Sequence, residues 1–403
     1  MAITQYSQTI ANLKRIFIVL TMVTAAFAIT GCANKVVKST AQTPLEVETS
    51  NIPENELLDV GIVIFDPGLE DESKSVIPVS SEVRKAESQF FPVKLMDAMQ
   101  RSAAWGAVRV VPNENAAVDV MVTGKIISSD GERLILNIRA FDSVGDQWFE
   151  KEYEQKASKY SYDPAARIRR DPFSSVYNEI ANDLLEYKRQ LASDYLRKLR
   201  IVTELKFAKD FSPEAFDNHL YVDKKGEYQL NRLPAESDPM LERIRTIRER
   251  DYLFVDTLQE YYGTFVNEME KPYQEWRSQS YSEAAEVRRL RAQAIGQTVA
   301  GVASVVGGIL AAGSSDASAR AAGSVAIVGG GYLIKEGFGT RSDSKLHLEA
   351  LRELGDSLGA EVESHYIDLE DRTITLSGTV ENQYEQWREI LRDIYDLETG
   401  GVQ

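Results

Sequence analysis

Residues 118–140, VDVMVTGKIISSDGERLILNIRA, contain two alternating apolar patterns on either side of a turn. Apolar and polar residues alternate from Val118 to Ile126 and again from Leu134 to Ala140, which is typical of half-buried strands. Asp130-Gly131 lies between the two patterns and is a strong hairpin signal. This stretch therefore predicts two antiparallel strands joined by a tight turn.

The segments around this hairpin extend it to a small α/β domain, which we place at residues 57–157. A continuous apolar run that ends at Asp66-Pro67 is expected for a strand buried on both faces. The predicted elements in chain order are a strand at Leu58–Phe65, a helix at Val93–Ala104, a strand at Val108–Val111, the two hairpin strands and a last strand with Trp148.

This order, strand, helix, strand and then a three-stranded meander, resembles two known kinds of domain. They are the small domain of curli-export-type lipoproteins and the amino-terminal domain of TolB-like proteins. The resemblance rests on the order of the elements and covers about a quarter of the chain.

The amino terminus has the composition of an export signal, which we place at residues 1–31. Lys14 and Arg15 precede an uncharged apolar run, Ile16–Ile29, and Gly31 precedes Cys32. A charged region, an apolar region and a small-residue cleavage site in this order are typical of secretory signal peptides. The alternative is a transmembrane anchor, but the run is shorter than the ~20 residues that a spanning helix needs.

A cysteine directly after such a site resembles the lipobox of bacterial lipoproteins. The resemblance implies cleavage before Cys32 and attachment of fatty acyl chains, such as palmitate, to the cysteine. Ala33 follows the cysteine, and by resemblance to enterobacterial sorting it favours the outer membrane over the inner one. The resemblance thus implies a partner, the lipid bilayer, and a location on the outer membrane with the body facing the periplasm.

The charge and cysteine content narrow the function classes. Residues 1–31 contain two basic and no acidic residues, so their removal changes the formal charge from −16 to −18. Nucleic-acid binding needs clustered cations, so no nucleic-acid partner is expected. Cys32 is the one cysteine of the chain, which excludes an intramolecular disulfide. About 370 mature residues are expected to form two to four domains.

Two further segments differ in composition from the predicted α/β domain. Residues 32–56 are rich in Thr, Ser, Asn and Pro, and they predict a flexible tether between the lipid and the first domain. Residues 172–293 are highly charged with helical apolar spacing, and they predict a helical domain or stalk with a break or kink at Pro272.

Residues 294–338 predict a glycine-zipper helical hairpin. Small residues recur at every fourth position, so each helix would carry a ridge of small side chains that permits close packing. The short loop between the two series favours an antiparallel pair. The predicted helix-packing interface consists of Gly296, Ala300, Ser304, Gly308 and Ala312 in the first series and Ser318, Ala322, Ala326 and Gly330 in the second.

The hairpin resembles the glycine-zipper segments of outer-membrane lipoproteins, which implies membrane association or self-assembly. Three interpretations remain open: insertion into lipid, burial against the chain's own domains or sister copies, and an internal hairpin without a partner. The second helix has only about 14 uncharged residues, which is short for a span and favours burial against protein. Gly329-Gly330-Gly331 is not a phosphate-binding loop, because it ends an apolar pattern and no Gly-Lys-Ser/Thr follows it.

Residues 345–399 predict a small helix-strand-strand-helix module. A leucine-spaced helix ends at Gly359, two strands follow, and Tyr384, Trp387, Leu391 and Ile394 give a last amphipathic helix. The segment Thr375–Val380, TLSGTV, in this arrangement resembles the BON family of periplasmic envelope domains. That resemblance implies phospholipid or envelope binding, although Gly400–Gln403 leaves almost no room for the family's final strand.

Catalytic motifs are missing from the sequence. The three histidines, His219, His347 and His365, are widely separated and lack metal-ligand spacing. No Gly-x-Ser-x-Gly elbow occurs, and chance carboxylate pairs are unavoidable among 62 acidic residues. We therefore expect no enzymatic activity, no metal and no cofactor.

The sequence thus predicts a multidomain α+β protein, with a small α/β domain, a long helical region, a glycine-zipper hairpin and a small C-terminal module. The predicted function is that of an outer-membrane lipoprotein with a structural or assembly role, as a homo-oligomer or with other envelope proteins. Two alternatives stay open: a phospholipid-binding or transport accessory lipoprotein, and a cell-wall hydrolase with unrecognised carboxylates.

Overall fold

The computed structural model describes residues 36–39, 43–69, 81–162, 171–235, 237–312 and 380–399. The predicted signal peptide, Cys32, the second small-residue series and the strands predicted before Val380 lie outside these ranges.

A mixed six-stranded sheet forms the centre of the fold. Its strands, in chain order, are β1 (Val36–Ser39), β2 (Val60–Val63), β3 (Val108–Val111), β4 (Val120–Ser129), β5 (Arg133–Asp142) and β6 (Gln147–Lys156). Their spatial order is β1-β6-β5-β4-β2-β3. Strand β2 is parallel to β3 and β4, whereas β4, β5 and β6 form an antiparallel meander. The Asp130-Gly131 turn joins β4 to β5, as its sequence predicts.

Helices pack around this sheet, which confirms the α+β class. They are α1 (Ser81–Arg101), α2 (Ser174–Arg189), α3 (Ser193–Phe211), the single turn α4 (Pro213–Phe216), α5 (Pro239–Ala312) and α6 (Val380–Thr399). Single 3₁₀ turns lie at Glu54–Glu56, Lys159–Tyr162 and Asp217–His219.

The helices and the sheet share one hydrophobic core. Leu136 of β5, Phe90 of α1, Leu184 of α2 and Tyr273 of α5 are fully buried members of a single continuous cluster. The predicted boundary between residues 57–157 and 172–293 therefore separates two segments of the chain but not two cores.

A small β-hairpin interrupts the region predicted to be helical at 172–293. Strands β7 (Leu220–Val222) and β8 (Tyr228–Leu230) pair in antiparallel fashion. In the turn between them, the Asp223 carboxylate accepts hydrogen bonds from the backbone of Lys225 and Glu227. The region predicted to be helical thus contains a short hairpin, because this local turn competes with helical hydrogen bonding.

From residue 43 onward, the segment predicted as a flexible tether is docked on the body. We call residues 43–50 the strap. The Thr43 amide donates to Ser175 Oγ at 3.0 Å, and the Glu46 amide donates to Asn182 Oδ1 at 2.8 Å. Farther along, Arg197 pairs with Glu56 at 2.6 Å. The polar residues of this segment bind complementary side chains on α2 and α3. The absence of an apolar period in its sequence therefore did not indicate flexibility.

Helix α5 is 74 residues long and continues through Pro272 without ending. Proline removes one helical hydrogen bond, which led us to expect a break or kink at this position. The flanking turns bury Met269, Tyr273 and Trp276. Tertiary packing of these side chains offsets the missing bond and keeps the helix continuous.

Helix α6 packs on the body with its predicted apolar face. Tyr384, Leu391 and Tyr395 are buried, and Phe254 of α5 stacks on Trp387 with 5.0 Å between the ring centroids. Val380, which we predicted as the end of a strand, is the first residue of this helix. Since α6 shares the core of α5, residues 380–399 pack on the main body, while residues 345–379 of the predicted module lie outside the described ranges.

Within the described ranges, no helix is both long enough and apolar enough to cross a membrane.

Helix α5 covers the free edge of strand β3 with a contact that we call the edge clasp. The Gln259 side-chain amide accepts a hydrogen bond from the Val110 amide at 2.8 Å and donates one to the Val110 carbonyl at 2.8 Å. One position along, the Arg109 guanidinium forms two hydrogen bonds with the Asp256 carboxylate, at 2.6 and 3.2 Å. The clasp thus gives the backbone of an edge strand the partners that a neighbouring strand would supply.

We expect Gln259→Leu to lower the free energy of unfolding by about 1–3 kcal/mol, because it leaves the Val110 amide and carbonyl without partners in a partly buried contact. Gln279→Leu, an exposed position on the same helix, is the matched control and should change the free energy by less than about 0.5 kcal/mol. Urea denaturation followed by tryptophan fluorescence measures both. Equal stability of the two variants would show that the clasp contributes nothing.

Candidate functional site

The structure places the first series of predicted interface residues on the continuation of helix α5. The backbone is helical through Gly296, Ala300, Ser304, Gly308 and Ala312, so these residues share one helix face. The residues of the second series, Ser318, Ala322, Ala326 and Gly330, lie outside the described ranges, as does Cys32. The structure therefore does not test whether the two series meet, but it describes how the first is attached to the body.

We call residues 252–288 of α5 the helix root and residues 289–312 the zipper arm. The root contacts the sheet and α1 at three successive places, of which the edge clasp is the first. These contacts decide how firmly the zipper arm is held, so they form the candidate functional site.

The second contact is built around Arg277, whose side chain is fully buried. Its guanidinium carbon lies 4.1 Å from the ring centroid of Tyr273 and 4.8 Å from that of Phe173. Phe90 and Phe91 of α1 lie 5.9 and 5.8 Å away. Such rings attract a cation through their electron-rich faces, and the attraction grows when water is excluded.

One carboxylate compensates the buried charge of Arg277 directly. Asp171, which precedes α2, accepts a hydrogen bond from Arg277 Nη1 at 3.0 Å. Arg277 Nε and Nη2 have no hydrogen-bond acceptor among the described residues. The aromatic faces and a single carboxylate therefore stabilise this cation, and loss of either would leave a charge buried at high free-energy cost.

A second buried charge, Glu87 of α1, lies beside this cluster. Its Oε1 accepts hydrogen bonds from Ser129 Oγ of β4 at 2.6 Å and from the Tyr273 hydroxyl at 2.5 Å. Burial raises the pKa of Tyr273 well above its ordinary value, with the Glu87 carboxylate adding to the rise against an opposing effect of Arg277. Tyr273 is therefore a neutral donor that joins α5 to α1 and, through Glu87, to the sheet.

The third contact holds the root to the turn between β4 and β5. Arg288 pairs with the carboxylates of both Asp130 and Glu132. A Cβ atom on Gly131 would lie 2.3 Å from the carbonyl oxygen of Arg277 and 2.5 Å from the amide of Tyr281. Glycine is required here because the helix backbone passes directly against the turn.

The zipper arm begins where these contacts end. No described side chain after Arg288 forms an ion pair with the sheet, and the helix continues for 24 residues to Ala312. At 1.5 Å per residue, the arm is about 36 Å long. From Ala294 onward the arm is an uncharged helix with a ridge of small residues, and it is continuous with a root whose charges are fixed in the core.

A separate cavity of about 630 Å³ lies between α3, α6 and the loop at residues 113–118. Asp210 of α3 accepts hydrogen bonds from Arg388 and Arg392 of α6 at this cavity. Behind it, Tyr384 donates to Asp251 at 3.2 Å, and burial raises the pKa of Asp251 against the opposing charge of Arg388. These charges pair with one another and hold α6 on the body.

His219 is the one histidine that the described ranges contain. His219 is buried, and its Nδ1 lies 2.9 Å from the Arg232 carbonyl oxygen, which is a structural contact. No group of His, Cys, Asp and Glu side chains within the described ranges has the arrangement of a metal site. His347 and His365 lie outside those ranges.

Arg277, Glu87 and Gln259, which form contacts of the helix root, were not predicted from the sequence. A signal for Arg277 was present, because Met269, Tyr273 and Trp276 define an apolar face on which Arg277 also falls. A single charge inside an apolar stripe indicates a buried ion pair or a functional position. Gln259 gave no such signal, since its partner is 149 residues away.

Comparison of the chain with known protein families, with curated proteins and with solved structures found no match.

We expect Arg277→Met to lower the free energy of unfolding by about 3–5 kcal/mol, because it leaves Asp171 without its cation and fills the aromatic cluster poorly. The matched control is Arg289→Met, since Arg289 is 61% exposed and pairs only within the helix. That substitution should cost less than about 1 kcal/mol. The loss of unfolding free energy for Arg277→Lys should fall between these two values, because lysine keeps the charge but not the planar guanidinium. Urea denaturation measures all three variants. If Arg277→Met loses no more free energy than Arg289→Met, the structural role of Arg277 is contradicted.

Proposed function

We propose that this chain is a lipid-anchored structural or assembly protein of the bacterial outer membrane, without enzymatic activity. The observation that supports this proposal is the continuity of α5, which runs from a root fixed in the core into an arm that has a ridge of small residues and carries no charge from Ala294 to Ala312. A rigidly mounted arm of this kind suits helix packing against a partner helix.

The chemistry of the arm favours close packing between helices. A ridge of glycine, alanine and serine lets two backbones approach, so that many weak contacts form over a short length. In this proposal the partner ridge is the second series of the same chain or the arm of another copy. Assembly through these ridges would then produce a homo-oligomer, or a complex with other envelope proteins.

The membrane attachment in this proposal is acylated Cys32. Each buried CH₂ of an acyl chain contributes about 0.8 kcal/mol, so several chains give stable anchoring without help from the acidic body. Because the Gly31-Cys32-Ala33 site resembles lipoprotein signals, the proposed location is the outer membrane, with the folded body in the periplasm.

The phospholipid-handling alternative would require space for acyl chains. The described cavity between α3 and α6 is lined largely by polar and charged side chains, including Lys206, Arg388 and Glu389. Such a lining suits water or a polar group better than an acyl chain. We therefore favour the structural role.

The assembly proposal predicts that a bulky side chain on the ridge reduces the native mass. In the doubly substituted Gly308→Leu/Gly330→Leu protein, leucine side chains would hold the backbones apart, and we expect oligomers to dissociate. Mass photometry of the mature, acylated protein in detergent measures this change.

The matched control for this experiment is Thr298→Leu. Thr298 lies two residues from both Gly296 and Ala300, which places it on the opposite side of the helix from that part of the ridge. It should leave the oligomer mass unchanged. A double variant with the mass of the unmodified oligomer, or an unmodified protein that is monomeric, would contradict assembly through the ridge.

A further inference from the structure

The chain between the proposed anchor and the sheet is very short. Strand β1 begins at Val36, four residues after Cys32. Consecutive residues span at most about 3.6 Å, so the first residue of β1 lies no more than about 14 Å from the acylated cysteine. We call residues 33–35 the leash.

The strap keeps the chain after β1 from lengthening this leash. Its Thr43 hydroxyl donates to Glu179 Oε1 at 2.6 Å, and Asn178 Nδ2 donates to the Thr43 carbonyl at 2.9 Å. Arg189 at the end of α2 pairs with both Glu46 and Glu48 of the strap, at 2.7 and 3.1 Å. These contacts fix the strap along α2, so β1 would have to separate from the sheet and the strap from α2 before the body could move away.

The fold places β1 at one edge of the sheet and the helix root at the other. The order β1-β6-β5-β4-β2-β3 puts five inter-strand spacings between β1 and β3. At about 4.8 Å per spacing the two edges are about 24 Å apart. Helix α5 lies beyond β3 and adds roughly 10 Å. A leash of about 14 Å that ends at β1 therefore constrains one edge of the body far more than the other.

Two cations that the described side chains place near this edge are already paired. Lys151 of β6 pairs with Asp183 of α2 at 2.5 Å, and Arg189 pairs with the strap. The chain as a whole carries a formal charge of −16, which does not favour adhesion to anionic headgroups. The short leash supplies a constraint that does not depend on such adhesion.

From these observations we infer that the edge formed by β1, β6, the strap and α2 is the membrane-facing surface of the body, and that its partner is the surface of the lipid bilayer. The inference rests on the proposed acylation of Cys32. It adds to that proposal a defined orientation, in which the β1 edge is held at the headgroups and the β3 edge and helix root lie farther away.

Energy transfer to labelled lipid tests this orientation in the mature, acylated protein. A donor dye is placed at Glu186→Cys, an exposed position on α2 one turn after Asn182, or at the control Leu253→Cys, which is 69% exposed on α5 near β3. Because the lipid occupies the native cysteine, each dye attaches at one site. The acceptor is rhodamine-labelled phosphatidylethanolamine in vesicles of phosphatidylethanolamine and phosphatidylglycerol.

We expect greater transfer from position 186 than from position 253. A 20-residue Gly/Ser insertion between Asn34 and Lys35 adds a root-mean-square length of about 25 Å to the leash. That insertion should lower the transfer from position 186 and remove the difference between the two positions. Equal transfer from both positions with the native leash, or transfer from position 186 that the insertion leaves unchanged, would overturn the inference.

A second experiment tests the proposed acylation of Cys32 separately from the proposed orientation. Palmitate labelling should require Cys32, and Cys32→Ser should abolish flotation with the same vesicles. If the unmodified protein takes up no palmitate, or if Cys32→Ser protein still floats, the anchoring proposal fails and the orientation fails with it. If anchoring holds and transfer is equal at the two positions, only the orientation is wrong.

Discussion

The buried guanidinium of Arg277 is the interaction on which the rest of this structure depends. It lies among aromatic rings of α1 and α5 and pairs with Asp171, while Tyr273 of the same helix turn binds Glu87 in α1. Because an uncompensated charge in the core is costly, the sheet, α1 and α5 hold a fixed relation. A helix that is fixed in this way gives the zipper arm a firm attachment to the core.

Elements with a local sequence signal could be predicted, and contacts between distant segments could not. Alternation in residues 118–140 predicted β4, β5 and the turn at Asp130-Gly131, because a period of two depends only on neighbouring residues. The strap was taken for a tether, since its polar residues find their partners on α2, more than 130 residues later. Likewise, Pro272 predicted a break or kink, and α5 continues through it without a break.

The helix of the arm could be predicted, because the four-residue spacing of its small residues depends only on neighbouring turns. The packing of the two small-residue series stays a prediction. The root could not be predicted, since the clasp at Gln259 and the cluster at Arg277 join segments that are far apart in the chain. In our account, the body separates two tasks: the β1 edge receives the lipid anchor, and the opposite side carries the helix that assembles. Such a separation would let the ridges meet without competition from the bilayer surface.

The central claim is that α5 is one rigid helix from the core into the zipper arm, and a distance within that helix tests it most directly. Spin labels at Gln279→Cys and Thr298→Cys, in a Cys32→Ser background diluted with unlabelled protein, lie on either side of the last ion pair with the sheet. If the helix is unbroken, pulsed dipolar spectroscopy should give a single narrow distribution of the distance between the two labels, centred at about 28 Å. A broad distribution, or one centred well below that distance, would contradict the account.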